Sequence, residues 1–256
     1  MKVATFNVNG IRARVEHVRR WLELHEPDVL CMQETKVVDD DFPTEELTRL
    51  GYVLTMAGQP SYNGVAIASR RPIANVSVGL HGDPPDADKR AISCTVGDTR
   101  IVNVYVPNGK DVTLPSFLEK LRWLERLRLT LDTASRPEAA LVLCGDFNVA
   151  RDERDVYAPE RFRGRLHFHP DERAALEHVL GFGLVDAYRR LHDEAGKYSW
   201  WDYRGGDFRM NRGLRIDYVF VTESVATRLR NADIDPGPRR EQGPSDHTPV
   251  FIEFDE

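Results

Sequence analysis

Hydrophobic residues in this chain occur mainly in short runs of the length typical of β-strands. Two of these runs, on either side of Gly97-Asp98, predict a β-hairpin. Eight runs rich in valine, isoleucine and leucine predict strands along the whole chain: Val3–Val8, Val29–Gln33, Gly64–Ser69, Ala91–Val96, Ile101–Val106, Ala140–Cys144, Ile216–Val221 and Val250–Phe254.

Longer segments with hydrophobic residues at helical spacing lie between some of these runs. They predict one helix around Val15–Leu22, a second over Leu118–Leu131, and a third from Asp171 as N-cap to Leu180. Since strands outnumber helices and include a hairpin, this order favours an α/β sandwich with partly antiparallel sheets over a doubly wound parallel sheet. No repeat or linker divides the chain, so we expect one domain over residues 1–256.

Composition is that of an ordinary globular protein. With 41% hydrophobic and 30% charged residues, the sequence is neither disordered nor collagen-like. No stretch approaches the roughly 18 apolar residues of a membrane span. Asn7 and Asn9 interrupt the first hydrophobic run before it reaches the length of the apolar segment of a signal peptide. We therefore expect a cytoplasmic protein without a membrane partner. Cys31, Cys94 and Cys144 lie in strand-like runs and are expected to be buried, reduced thiols.

The formal net charge of −6 excludes a histone-like protein that binds by charge alone. It is compatible with an enzyme of nucleic acid. Carboxylates around a cation lower the net charge, while basic loops elsewhere hold phosphates.

The most informative pattern is the position of polar residues at the ends of predicted strands. Any one of them is more often a turn residue or a helix cap. Together they form a set rich in oxygen and poor in nitrogen, which suits Mg²⁺ or Mn²⁺ rather than zinc or copper. A histidine next to an aspartate adds a group able to stabilise a phosphate oxygen, so the set predicts metal-assisted phosphodiester cleavage. Its members are Asn7, Glu34, Tyr105, Asn108, Asp146, Asn148, Asp217, Asp246 and His247.

The sequence resembles the exonuclease III family of abasic-site endonucleases, within the endonuclease/exonuclease/phosphatase superfamily. The superfamily motifs GDFN and SDH are accompanied by narrower motifs of the DNA-repair branch, SWWDYR and NRGLRIDY. The motifs span the chain: FNVNGIRAR at 6–14, QETK at 33–36, YVPNG at 105–109, GDFN at 145–148, SWWDYR at 199–204, NRGLRIDY at 211–218 and SDHTP at 245–249. The resemblance implies a DNase I-like fold, a four-layered α/β sandwich with two packed mixed β-sheets flanked by helices.

The resemblance also implies roles for the catalytic residues. Glu34 would bind Mg²⁺, for which Mn²⁺ would substitute. Asn7 would contribute to the metal site or orient Asp146, and Asp246 would lie near the metal. Asp146 would hold and deprotonate the attacking water, and Asn148 would orient Asp146 or the phosphate. His247, as an imidazolium paired with Asp217, would contact the scissile phosphate, which Tyr105 would also reach. The expected reaction is cleavage of duplex DNA 5′ to an abasic site, leaving a 3′-hydroxyl, together with 3′→5′ exonuclease and 3′-end trimming.

Residues that would bind the substrate follow from the same resemblance. Arg12 and Asn108 would contact phosphates and Asn9 would also bind the substrate, while Trp200 and Trp201 would line a pocket for a flipped-out sugar unless they are core residues. Lys36 is expected at the surface. Arginines and aromatic residues alternate over 151–169, which predicts either a groove for the DNA backbone or a solvated loop whose arginines pair with Asp152, Glu153 and Asp155.

Two other functions compete with a DNA-repair nuclease. A phosphatase or lipid phosphodiesterase of the same superfamily would share GDFN and SDH but would not need SWWDYR or NRGLRIDY. A non-catalytic nucleic-acid-binding relative should have lost a charged residue of the set, and all of them are present. The expected oligomeric state is a monomer.

Overall fold

A computed structural model describes residues 1–256, which form two six-stranded β-sheets with helices on their outer faces. The first sheet combines strands from both ends of the chain. Its strands are β1 (Lys2–Asn7), β2 (Val29–Gln33), β3 (Val53–Ala57), β4 (Val65–Ser69), β11 (Leu229–Ile234) and β12 (Val250–Phe254). Their order across the sheet is β11-β12-β1-β2-β4-β3.

The second sheet is built from the middle of the chain. Its strands are β5 (Ile73–Val78), β6 (Ala91–Val96), β7 (Thr99–Tyr105), β8 (Leu141–Asp146), β9 (Leu184–Asp186) and β10 (Asp217–Thr222). Their order is β5-β6-β7-β8-β10-β9. Strands β6 and β7 form the predicted hairpin, with Val96 opposite Thr99 at its turn.

Both sheets have the same pairing pattern. Each contains one parallel pair near its centre, β1 with β2 in the first sheet and β7 with β8 in the second, and every other pair is antiparallel. Because parallel strands end on the same side, each sheet presents two adjacent carboxyl ends at one edge.

The helices are α1 (Ile11–His25), α2 (Thr44–Thr48), α3 (Pro115–Ala134), α4 (Pro159–Phe162), α5 (Pro170–Leu180), α6 (Ala187–Leu191) and α7 (Glu223–Ala226). Helices α1 and α2 cover the outer face of the first sheet and α3 and α5 that of the second, whereas Tyr188 of α6 and Val225 of α7 belong to the core between the sheets. Trp21 and Leu22 of α1 pack on the first sheet, whereas Leu124 and Leu127 of α3 pack with Leu176 of α5 on the second. No helix has the length and apolarity required to cross a bilayer.

Alternation along the strands divides the interior into layers. In β1, Val3 faces the core between the sheets, while Ala4 and Phe6 face α1. Cys31, Cys94 and Cys144 are free and buried in the core between the sheets. The result is the predicted four-layered α/β sandwich, and the prediction of two packed mixed sheets flanked by helices is confirmed.

The sequence prediction missed four strands: β3, β5, β9 and β11. All four lie at the sheet edges, where β5 is largely exposed, β11 has polar residues between its hydrophobic ones, and β9 has only three residues. The predicted N-cap of α5 was wrong by two residues. The cap is His169, whose Nδ1 accepts from the Asp171 amide, and Pro170 occupies the first helical position.

Candidate active site

The strand ends of the two sheets meet at one edge and bring the predicted polar residues together. In the first sheet, Asn7 at the end of β1 is paired with Gln33, which precedes Glu34. In the second, Asp146 at the end of β8 is paired with Tyr105 on one side and with Asp217 on the other. The carboxamide of Asn7 joins the sheets, since its Nδ2 donates to Glu34 Oε1 and to Asp146 Oδ2, each at 2.9 Å.

We refer to Glu34, Asp146, Asp217, Asp246 and His247 as the carboxylate cluster. His247 is buried, and its Nδ1 lies 2.8 Å from Asp217 Oδ2. Its Nε2 lies 3.7 Å from Asp146 Oδ2. Burial opposes a charge on the ring, but the carboxylates of Asp217 and Asp146 outweigh it and raise the pKa of His247 to about 10. The ring is therefore an imidazolium at neutral pH.

The Asp217 carboxylate fixes the orientation of this ring. Ser199 Oγ donates to Asp217 Oδ2 at 2.6 Å, so this oxygen serves both the hydroxyl and the imidazole. The same Ser199 oxygen accepts from the backbone N–H of Ile216 and of Asp217. Asp217 is thus locked in place before any substrate arrives.

The pKa values of Asp146 and Glu34 are shifted in opposite directions. Burial and the neighbouring charges of Asp217 and Glu34 raise the pKa of Asp146 to about 7, although His247 and the Asn7 amide act against the rise. Burial also acts to raise the pKa of Glu34, but Lys36 and Asn7 outweigh it and leave that pKa below its usual range. Asp146 is therefore poised to exchange a proton near neutral pH, while Glu34 stays ionised.

The donor set fits a hard divalent cation. Ligand atoms of Glu34, Asp146 and His247 all lie within 4.8 Å of one another. An imidazolium has no lone pair to offer a metal, so among these three residues only Glu34 and Asp146 offer ligand oxygens. Burying several carboxylates beside only His247 and Lys36 leaves a surplus of negative charge, which a divalent cation would neutralise.

Two asparagines line the side of the cluster next to Asp146. Asn148 has a left-handed backbone (φ 53°), and its amide N–H donates to Asp146 Oδ1 at 2.9 Å. Its side chain donates to the Val106 carbonyl and accepts from Asn108 Nδ2 at 3.1 Å. Burial, together with the charges of Glu34 and Asp146, raises the pKa of Tyr105, so its hydroxyl stays protonated.

On the opposite side, Asp246 is held by two predicted substrate residues. Asn9 Nδ2 donates to Asp246 Oδ1 at 2.9 Å, and Trp200 Nε1 donates to Asp246 Oδ2 at 3.0 Å. Asn9 also accepts from the Lys36 ammonium, which lies 2.8 Å from Glu34 Oε2. Lys36 is therefore half-buried within the site, and the expectation of a surface residue was wrong.

Trp201 and Arg12 lie outside this hydrogen-bonded set. Only 3% of Trp201 is exposed, and its Nε1 donates to Asn211 Oδ1 rather than toward the cluster. Arg12 is exposed on α1 and pairs with Asp41 at 2.7 Å. Trp200, in contrast, is half-buried with its ring 6.1 Å from that of His167.

In the arginine-rich loop over 151–169, some arginines form ion pairs, as predicted for a solvated loop, and others do not. Arg154 pairs with Asp152 and Arg163 with Glu153, as the solvated loop predicts, while Arg151 pairs with Glu177 of α5. Arg161 and Arg165 form no ion pair. Asp155 does not pair with the loop arginines as expected, because it is buried and bonds Arg215 and Arg189 instead.

Sequence reasoning missed residues that support the site from behind. Lys120 is fully buried and donates to the carbonyls of Asn148 at 2.7 Å and Asn108 at 3.3 Å, and to the Glu172 carboxylate. His167 Nδ1 also lies 2.7 Å from the Asn148 carbonyl. The signal for Lys120 was present: it falls on the buried stripe of α3 between Phe117 and Leu124.

Comparisons with known proteins agree with this geometry. The endonuclease/exonuclease/phosphatase family matches the chain over residues 4–247. The chain belongs to this family.

Relatives within the family are DNA enzymes by name. Exodeoxyribonuclease III of Haemophilus influenzae is 33% identical over 99% of this chain and 100% of its own length. An AP endonuclease from Archaeoglobus fulgidus superposes with a TM-score of 0.97, and a 3′ phosphatase from Neisseria bound to a product DNA hairpin with 0.96. Each of these structures is 38% identical, and each match covers 100% of both chains. The predicted family and its DNase I-like fold are confirmed.

Proposed function

We propose that this protein is a Mg²⁺-dependent DNA-repair nuclease, an exodeoxyribonuclease III-type enzyme. It would cleave duplex DNA 5′ to abasic sites, leaving a 3′-hydroxyl, and trim 3′ ends. The observation that carries the proposal is the junction of the two sheets at Asn7, Glu34 and Asp146, beside an imidazolium held by Asp217. The names of relatives in the family support DNA as the substrate.

The proposed reaction is in-line attack of water on the scissile phosphorus. Asp146 would hold the water and accept its proton, a role suited to a carboxylate with a pKa of about 7. His247 would contact a phosphate oxygen as an imidazolium. Because negative charge grows on the phosphate during attack, this contact would strengthen in the transition state.

Other residues would bind and orient the phosphate. Asn148 donates to Asp146 through its backbone N–H and accepts from Asn108, and both side-chain amides would contact a phosphate oxygen bound next to Asp146. Tyr105 would supply a protonated hydroxyl. On the far side, Asn9 and Trp200 would border the bound DNA, with Arg12 and Trp201 as more distant contributors to substrate binding.

Glu34 and Asn7 would hold the Mg²⁺, with Asp246 linked to them through Asn9 and Lys36. When bound, Mg²⁺ would supply electrophilic stabilisation of the phosphate charge. Mn²⁺, which accepts the same oxygen ligands, would substitute.

We further propose that residues 1–256 act as one domain, as a monomer, in the cytoplasm. Support for one domain comes from the core between the sheets, which includes residues from Val3 to Phe254.

A second candidate function is 3′-phosphate removal without cleavage at abasic sites. The Neisseria 3′ phosphatase is as similar in sequence, at 38% identity, as the Archaeoglobus AP endonuclease. Both activities would use the same phosphate centre and differ in the DNA that reaches it.

The test uses three end-labelled duplexes: one with a single internal abasic-site analogue, one undamaged, and one ending in a 3′-phosphate. Each is incubated with Mg²⁺ or with EDTA. We expect a Mg²⁺-dependent nick at the analogue and shortening from 3′ ends. Release of phosphate from the third duplex without any nick would favour the second candidate. No hydrolysis of any duplex with Mg²⁺ or Mn²⁺ would refute both functions.

A further inference from the structure

A cavity of about 460 Å³ lies outside the carboxylate cluster, beside the segment that connects α6 to β10. None of the catalytic residues proposed above lines it, although Trp201, proposed above as a distant contributor to substrate binding, does. Its volume is within the range of roughly 300–1,000 Å³ found for small-molecule sites. We call it the basic cavity, because Lys197, Arg209 and Arg240 line it and no aspartate or glutamate does.

These three cations have no carboxylate partner in the structure, and all three are exposed. Nearby arginines differ: Arg212 pairs with Asp207, and Arg154 with Asp152. In a chain with 41 acidic and 35 basic side chains, unpaired cations around an acid-free cavity create a local positive potential. Guanidinium groups of this kind bind phosphate in a two-pronged geometry.

Part of the lining of the basic cavity is aromatic. Phe208 is half-buried there, with its ring 5.1 Å from that of Trp201 in an edge-to-face arrangement. Tyr198 and Trp201 are largely buried and contribute to the same lining. An aromatic lining with Phe208 accessible, next to three cationic side chains, matches a ligand with a flat base at one end and a phosphate at the other.

The aromatic lining is connected by hydrogen bonds to the segment that carries Asp246 and His247. Arg239, whose guanidinium lies 5.1 Å from the Phe208 ring, donates to the Ser245 carbonyl at 2.8 Å. The N–H of Trp201 donates to the Asp246 carbonyl at 3.1 Å. A ligand in the cavity would therefore contact the elements that hold Asp246 and His247.

We propose that the basic cavity binds one nucleotide unit, a base with its phosphate. That unit has two sources with the same chemistry: a free nucleoside monophosphate, or an unpaired nucleotide of a DNA strand. The second source rests on the function proposed above, whereas the first does not.

The experiment measures binding by calorimetry in EDTA, which prevents metal-dependent turnover. Probes are dAMP, deoxyribose 5-phosphate, and hairpin DNA with or without a single-stranded overhang. The test variant is Arg209→Glu/Arg240→Glu. Its control, Arg122→Glu/Arg136→Glu, makes the same charge change at exposed arginines on the outer face of the second sheet, which have no ion pair.

We expect the test variant to bind dAMP at least tenfold more weakly than wild type, with the control unchanged. Phe208→Ala should weaken dAMP binding more than deoxyribose 5-phosphate binding. If the natural source is a DNA strand, the test variant should also lose the affinity difference between overhanging and blunt hairpins.

Equal losses in test and control variants, or no loss in either, would overturn the proposal. A wild-type protein that binds no dAMP and does not distinguish overhanging from blunt DNA would overturn it too. Cleavage of the labelled duplexes, measured on the same preparation with Mg²⁺, separates the two proposals. Cleavage without binding at the cavity rejects only the cavity, and dAMP binding without cleavage rejects only the nuclease.

Discussion

This protein contains two groups of buried charge close together, and they differ in balance. The carboxylate cluster sets four acidic side chains against His247, with Lys36 at its edge. The second group, which we call the charged anchor, consists of Asp155, Asp186, Arg189 and Arg215, and its acids and bases are equal in number. Both groups contact β10 or the residues just before it.

The difference lies in how each carboxylate is satisfied. In the charged anchor, Arg215 bonds Asp155 and Asp186 through two nitrogens each, with shortest distances of 2.7 Å to both. In the carboxylate cluster, Asp217 Oδ1 is buried without a hydrogen-bond partner, and burial with its acidic neighbours raises the pKa of Asp146 to about 7. Balanced buried charge fixes the backbone here, and unbalanced buried charge marks the place for a cation and a proton.

The largest expected effect is loss of turnover in Asp146→Asn. The amide keeps the shape of the side chain but cannot accept a proton from water, so the rate should fall about 10³-fold or more. DNA binding, measured by fluorescence anisotropy in EDTA, should persist. An unchanged cleavage rate would show that Asp146 does not activate the water.

The opposite result is expected in the charged anchor. Asp155→Asn leaves Arg215 and Arg189 with too little buried negative charge, so the free energy of unfolding should fall by about 3–5 kcal/mol. Asp193→Asn is the matched control, because Asp193 is 97% exposed and pairs only with Arg154. Urea denaturation measures both. If Asp155→Asn is as stable as its control, the anchor does not stabilise the fold.

Lys120 and Glu172 form a third buried pair, which supports the asparagines of the site. Glu172→Gln removes the partner charge of Lys120 and should destabilise the fold by about 2 kcal/mol, with a severalfold decrease in kcat. Glu119→Gln, at an exposed position of α3 next to Lys120 and without an ion pair, is its control and should change neither quantity. A full loss of activity in a stable Glu172→Gln protein would mean that Glu172 acts directly in the chemistry.

The smallest expected effect is on pH dependence. Below its pKa of about 7, Asp146 carries a proton, which removes a negative charge from the cluster. Mg²⁺ affinity should therefore weaken as pH falls from 8 to 6, by roughly tenfold for each unit below that pKa. Calorimetric titrations of wild type and Asp146→Asn measure this. The plot of Mg²⁺ affinity against pH should be steeper for wild type than for Asp146→Asn, and equal slopes would mean that another group takes up the proton.

Much of the site could be predicted because the sequence shows where hydrophobic strands end and which polar residues follow them. Asn7, Glu34, Asp146 and Asp217 each follow or begin a hydrophobic run, and the sheet pairings place such residues together. The narrow motifs SWWDYR and NRGLRIDY then indicated the DNA-repair branch of the family.

The features that could not be predicted depend on contacts between residues far apart in the sequence. Nothing local shows that Arg215 would bond Asp155 and Asp186, which are 60 and 29 positions away. The position of Lys36 was predicted wrongly because it is half-buried through a hydrogen bond to Asn9, which follows a different strand, β1. The edge strand β5 was missed because its exposed residues form no hydrophobic pattern, and β11 because Arg230, Asn231 and Asp233 interrupt its hydrophobic residues.

The central claim is that the carboxylate cluster binds a divalent cation and the charged anchor does not. The most direct measurement is Mn²⁺ binding followed by electron paramagnetic resonance in wild type, Glu34→Gln and Asp155→Asn. We predict that Glu34→Gln weakens binding at least tenfold, while folded Asp155→Asn binds Mn²⁺ like wild type. Unchanged binding in Glu34→Gln, or an equal loss in folded Asp155→Asn, would contradict the account.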